Sequence, residues 1–183
     1  TRFGGRKLLA DWNGAPLLHA ALACARAAPV EGVTVVTGAD ATDIAACVRA
    51  FDPAIRLVHA PGHAEGMAAS LRAGVASLPA DTRAAFVFLG DMPRVSPEVL
   101  APLARAVQAG APAAAAAFAG RRGNPVVLAR EVFDDVAGLT GDTGARPILQ
   151  ALGARVVIVE SPDDGVLFDV DAPDDLARAN VRP

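Results

Sequence analysis

The run VFLGDMP, residues 87–93, sets a carboxylate, Asp91, directly after an apolar stretch and a glycine, and Pro93 stops a strand from continuing. Ligands of open α/β sheets bind beyond the carboxyl ends of the strands. A carboxylate there suits a hard divalent cation, Mg2+ (or Mn2+), which takes one or two carboxylates and completes its shell with water and phosphate oxygens. Asp91 is equally suited to capping a turn, and the sequence leaves those two roles level. A second group of carboxylates lies in FDVDAPDDL, residues 168–176. Pro173 fits the first position of a helix, which makes Ala172 the N-cap and leaves Asp171 one residue outside. Asp174 and Asp175 fall in the first turn, where they complement the helix dipole. Asp169 lies two residues back, on the same strand face as Asp171. Either of that pair can reach the sheet edge and meet Asp91.

The opening TRFGGRK carries Arg2, Gly4, Gly5, Arg6 and Lys7. Glycines allow close backbone approach to a ligand, and the cations neutralise phosphate oxygens. The loop is not a Walker-type phosphate loop, because Leu8 stands where Ser or Thr would hold the metal. Of 17 basic residues, 16 are Arg, and Lys7 is the one Lys. A composition that writes Arg wherever either cation serves leaves Lys7 for a task needing a compact ammonium.

Glu65-Gly66-Met67 leads into a helix whose first N–H groups could meet a ligand, with Ser70 one turn in. His59 and His63 are four apart, but Pro61 and Gly62 rule out a shared helix face, so they do not read as a metal pair. Arg121 and Arg122, before Gly123-Asn124-Pro125, either reach a second anionic substrate or form a solvated turn. In GDTGAR, Asp142 or Thr143 serves equally as an N-cap or as a ligand. Trp12 reads as a packing residue. No Ser-His-Asp or Cys-His arrangement points to a covalent nucleophile.

These groups need a scaffold, and the sequence supplies an alternating one. Short apolar runs at 33–38, 55–60, 84–90 and 154–160 read as strands covered on both faces. Helical patterns at 16–28, 42–51, 66–78 and 96–110 separate them, the last starting at Ser96-Pro97-Glu98 and stopping at Gly110. The alanine run 112–120 has helical propensity but strand length, and its place in the rhythm favours a strand. Residues 121–153 read as an excursion, with a helix near 129–137, before the sheet resumes. The βα rhythm predicts an α/β domain with a mostly parallel sheet and helices on both faces.

With 183 residues, 52% of them hydrophobic, the chain can bury one full core. A net charge of −3 gives no reason to expect nucleic acid or an acidic membrane. No apolar run approaches the roughly 20 residues that span a bilayer. Cys24 and Cys47 read as small buried hydrophobes in a reducing compartment, by default the cytoplasm.

RFGGRKLL, HAEGMAASLRAG, FLGDMP, GRRGNPVVL, LTGDTGAR and FDVDAPDDL occur in the order seen in MobA-like nucleotidyltransferases. Across essentially the whole chain the sequence resembles that family, and within it the molybdenum cofactor cytidylyltransferases most. The resemblance implies a three-layer Rossmann-like nucleotidyltransferase fold in one domain over residues 1–183. It also implies that the first strand, with the front half of a phosphate loop, precedes Thr1 and is missing from this sequence. By resemblance, Lys7, Asp91 and Asp171 are catalytic, and Asp91 and Asp171 hold Mg2+. Arg2, Gly4, Gly5 and Lys7 grip the triphosphate, while Gly66, Met67 and Ser70 border base and ribose. Asn124 and the 142–144 turn face the second substrate. The implied reaction passes CMP from CTP to the terminal phosphate of molybdopterin, with a molybdenum hydroxylase as recipient of the product. The rival readings are GTP on the same cofactor, a sugar-phosphate or alditol-phosphate acceptor, and a non-catalytic cofactor chaperone. The family usually has Thr where Ala172 stands, a lost cap worth about 1 kcal/mol.

Overall fold

The computed structural model describes residues 6–179, the last three as backbone only. A small antiparallel hairpin, β1 (Asp11–Trp12) with β2 (Ala15–Pro16), leads into helix α1 (Leu17–Ala27). Strand β3 (Thr34–Thr37), helix α2 (Ala41–Phe51) and strand β4 (Arg56–His59) form a β-α-β unit with the two strands parallel. Helix α3 (Met67–Ala76), strand β5 (Ala84–Val87) and helix α4 (Leu100–Gln108) continue the alternation. Then come β6 (Ala113–Phe118), β7 (Arg121–Ala129), α5 (Phe133–Ala137), α6 (Arg146–Leu152), β8 (Val156–Glu160) and α7 (Pro173–Ala179).

The four-stranded sheet has the order β5-β7-β6-β8. Strands β5, β6 and β8 run in one direction and β7 runs against them. The fold is therefore mixed α/β with mostly parallel strands, as the βα rhythm implies. The alanine run is the strand β6, with residues 113–117 between 0% and 1% exposed. Burial on both faces overrides alanine's helical preference, because β6 takes backbone hydrogen bonds from β7 on one side and β8 on the other. Its side chains alternate between two cores. Ala113 and Ala115 pack with α3, α5 and α6 through Ala68, Val136 and Ile148. Ala114 and Ala116 face α1 and α4 through Cys24, Leu100 and Leu103. That alternation makes the three layers. A third cluster joins α1 and α2 beside β3 and β4 through Leu18, Leu22, Ile44 and Val48.

Residues 121–129 are not an excursion. They form β7, the reversed strand in the middle of the sheet. The hairpin before it turns on two residues, Ala119 and Gly120, both with positive φ. Such turns favour Asn-Gly or Asp-Gly, and Ala119 hides the signal. At the sheet's outer edge, β8 leaves Val157 and Ile158 40% and 45% exposed. Ser96 caps as expected, its hydroxyl accepting from the Glu98 N–H at 3.4 Å. Cys24 and Cys47 are free thiols, and burial pushes Cys24 up to about 11. No described helix is long and apolar enough to cross a membrane.

What matters most for the site is how the segment 163–171 docks beside the loop after β5. Two backbone approaches permit it. A Cβ on Gly123 of β7 would lie 1.9 Å from the Val166 carbonyl oxygen, and one on Gly165 would lie 2.0 Å from the Arg94 carbonyl oxygen. Only glycine allows these contacts. Arg94 then reaches across to Asp164 at 3.0 Å and lies 5.0 Å over the Phe168 ring. We expect Gly123→Ala to lower unfolding stability by about 1–3 kcal/mol, because the methyl must push backbone rather than a flexible side chain. A urea midpoint equal to that of the unaltered protein contradicts this account.

Candidate active site at the carboxyl edge of the sheet

Asp91 lies in the loop that follows β5, at the carboxyl end of the strand. Its carbonyl accepts from the Val170 N–H at 3.0 Å, which fastens the loop to the segment before α7. Val170 is fully buried, so Asp169 and Asp171 on either side of it turn outward together. One carboxylate oxygen from each of Asp91, Asp169 and Asp171 lies within 4.8 Å of the others. The two chain segments expected to converge do so, and Asp169 joins them.

Asp171 is held from its C-terminal side as well. The Asp175 carboxylate accepts from the Asp171 N–H at 3.0 Å and from the Ala172 N–H at 2.8 Å. Asp175 thus supplies, from the first turn of α7, part of the capping that Ala172 cannot make with its side chain. The same contact fixes the backbone of a site carboxylate.

Lys7 completes the cluster. Its Nζ donates to Asp91 Oδ2 at 2.7 Å and sits 3.5 Å from Asp171 Oδ1. The local chain explains the placement. Lys7 opens a 3-10 turn, Lys7–Leu9, and Leu8 packs so close to Gly90 that a Cβ there would meet it at 3.4 Å. Arg6 pairs instead with Asp43 at 3.0 Å on the surface. The basic partner of Asp91 is therefore Lys7 from the opening loop, and not its sequence neighbour Arg94.

Three carboxylates against one ammonium leave the cluster negative. Burial alone would lower the Lys7 pKa, but the hydrogen bond to Asp91 and the charges of Asp91 and Asp171 outweigh it and hold the value above 10.5. Partial burial, and then the neighbouring Asp171 carboxylate, raise Asp169 above its ordinary 3.8.

The other expected positions divide. Arg2, Gly4 and Gly5 lie outside the described residues. Asn124 stands two residues before Val126, which pairs with Val87, so the antiparallel register carries it to the same edge as Asp91. Nearby on that edge is a groove of about 340 Å3 lined by Phe118, Arg121, Asp164, Leu167 and Phe168. At the start of α3, the N–H groups expected to be open to a ligand already have acceptors. The Met67 N–H donates to Asp142 Oδ1 at 3.0 Å and the Ala68 N–H to the Gly141 carbonyl at 3.1 Å. Gly66, at φ 117, permits this: a Cβ there would lie 2.6 Å from the Gly141 carbonyl. Asp142 thus caps α3 across the fold rather than the helix that follows it, and Ser70 is half-buried one turn on. His59 and His63 stack edge to face with centroids 6.0 Å apart and take no part in the acidic cluster.

The chain signal for Asp169 was its shared strand face with Asp171. The sequence offers Asp169 and Asp171 as alternative partners of Asp91, and the structure brings both, because burial of Val170 turns the two flanking carboxylates to one place.

The raised Asp169 value has a consequence for stability. Its folded pKa lies above the unfolded one, so the folded state favours the protonated acid. Ionised Asp169 therefore costs stability at neutral pH, and the cost is relieved as pH falls through the raised value. With chelator present, Asp169→Asn should raise the melting temperature at neutral pH, and the difference should close in the acidic range. A lower melting temperature for the variant at neutral pH contradicts the assignment.

Comparison with known proteins gives the family and the fold. The MobA-like NTP transferase domain matches over residues 1–156. No protein of curated function matches the chain significantly. Among solved structures, Rv0371c of Mycobacterium tuberculosis is 27% identical with a TM-score of 0.81, over 98% of this chain and 91% of that one. The same protein solved with manganese is 28% identical with a TM-score of 0.78, over 95% and 92% of the two chains. A nucleotidyl transferase from Methanothermobacter is 25% identical with a TM-score of 0.79, over 94% and 82%. A family match over most of the sequence, on a matching fold with an acidic cluster at the sheet's carboxyl edge, means that this chain belongs to the MobA-like NTP transferase family and is a nucleotidyltransferase of that type.

Proposed function

We propose that the protein transfers CMP from CTP to the terminal phosphate of molybdopterin, the molybdenum cofactor, and releases pyrophosphate. The observation that carries the transferase chemistry is the Lys7, Asp91, Asp169 and Asp171 cluster at the carboxyl edge of the sheet. Support for CTP and for the molybdenum cofactor comes from EGMAASLRAG, GRRGNP and GDTGAR, the motifs that most resemble the cofactor cytidylyltransferases. The two free thiols suit a reducing compartment such as the cytoplasm. A molybdenum hydroxylase is the proposed recipient of the product.

The donor set fits a divalent cation, since hard carboxylate oxygens suit Mg2+ or Mn2+ and three can face one point. A structural relative solved with manganese supports the same reading. Asp91 and Asp171 would hold the ion, with Asp169 beside them, and the ion would supply Lewis-acid charge stabilisation at the phosphate. In the reaction, an oxygen of the acceptor phosphate bonds to the α-phosphorus of CTP, the bond from α-phosphorus to the bridging oxygen breaks, and pyrophosphate leaves with that electron pair. Both reactants are anions, so the protein must bring them together against repulsion. The Lys7 ammonium offsets part of it. At an effective dielectric near 20, a charge pair about 4 Å apart is worth about 4 kcal/mol. Asn124, on the same edge by strand register, would orient the acceptor. Positioning and charge suffice, and no covalent enzyme intermediate is needed.

The test is pyrophosphate release from CTP or GTP with Mg2+ and molybdopterin. Release with CTP is expected. Release with GTP alone overturns the base assignment, and tight cofactor binding without turnover overturns the enzyme assignment. Asp91→Ala should cut turnover at least about a hundredfold while the circular dichroism spectrum stays unchanged. Lys7→Arg should also lower turnover, since a planar fork replaces a compact ammonium; equal rates remove the special role of lysine.

A further inference from the structure

We propose that Lys7 is the resident counter-ion of the acidic cluster, and that its ammonium leaves Asp91 and Asp171 when a divalent cation binds them. The proposal rests on the metal assignment made above and adds an exchange to it. Its Nζ is bonded to the same two carboxylates that the ion would use, at 2.7 Å to Asp91 Oδ2 and 3.5 Å to Asp171 Oδ1. A third carboxylate, Asp169, stands in the cluster, so a single positive charge leaves it undercompensated. An ammonium and a divalent ion on one pair of carboxylates would be near neighbours of like charge in a partly dehydrated place, where repulsion is weakly screened.

The side chain is built to move. It is 26% exposed, on a flexible four-carbon stem, and the turn that carries it is anchored by Leu8 rather than by the ammonium. Departure of Nζ therefore leaves the backbone in place. Once released, the ammonium is free to meet the triphosphate, so cation and nucleotide favour each other's binding. Nucleotide arriving without the cation finds Lys7 engaged. The competing view is that Lys7 stays and props the carboxylates from their outer oxygens. The two views give opposite signs: under exchange, removing Lys7 tightens cation binding, and under propping it weakens it.

The sequence offers a direct readout, because Lys7 is its one lysine. Reductive methylation of the unaltered protein, followed by mass mapping of the peptide containing Lys7, measures how accessible its amine is. Saturating Mg2+ should speed modification of Lys7 about tenfold, the scale of one charge-assisted hydrogen bond lost. In parallel, Mn2+ titrations read by electron paramagnetic resonance, without nucleotide, should show Lys7→Met binding about tenfold tighter than the unaltered protein. Lys7→Arg, which keeps the charge, should not bind tighter. Melting curves for each variant establish that it is folded, and the methylation experiment needs no variant. A methylation rate unchanged or slowed by Mg2+, or equal or weaker Mn2+ binding by folded Lys7→Met, overturns the exchange while leaving the metal site standing. Absence of Mn2+ binding by the unaltered protein, with or without CTP, overturns the metal assignment and the exchange together.

Discussion

Carboxylates crowded within a few ångströms repel one another, and the rest of the site is arranged against that repulsion. The Val170 amide bonded to the Asp91 carbonyl joins two segments remote in sequence, and the Asp175 carboxylate ties down the Asp171 amide. Glycines at 123 and 165 let backbone lie against backbone, and Arg94 clamps Asp164 and Phe168. These contacts lie around the carboxylates rather than on them, so the strain of like charge is carried by a rigid frame. Lys7 is the one described cation that answers the charge directly. A site whose electrostatics are unfavourable when empty is one prepared for a cation.

Much of this architecture could be read from residue patterns. The strands at 34–37, 56–59, 84–87 and 156–160 fall inside apolar, β-branched runs, and the helices between them show the amphipathic spacing that a sheet-covering layer requires. Strand β7 could not be read, because its turn uses Ala119 at a positive φ and its residues mix arginine, glycine and valine. Asp91 was legible as a candidate, since a carboxylate after an apolar strand stands where sheet ligands bind, but turn capping was an equal reading until the structure set Asp169, Asp171 and Lys7 beside it.

The limits at the site have the same physical origin. Lys7 is visible as an unusual residue, but its partners lie 84 and 164 positions away, and tertiary packing, including Leu8 against Gly90, brings it to those carboxylates. Asp142 has the character of an N-cap, yet it caps a helix that begins 75 residues earlier. Local rules identify the type of group and its capacity; tertiary contact assigns the partner. The start of α3 shows the difference, since its amides have the character of an anion site and the chain's own turn has taken them.

The alanine strand at the centre of the sheet has a further thermodynamic meaning. Residues 113–117 possess no side-chain rotors, so ordering them between two helical layers forfeits backbone freedom alone. Each contributes only a methyl to the interior, and dispersion attraction along that line is small. Cohesion there must come from the amide ladders on its two flanks and from the bulkier Val126, Val127 and Leu128 alongside. Along this strand, then, the amide ladders and the neighbours' side chains carry what the alanines' own side chains cannot.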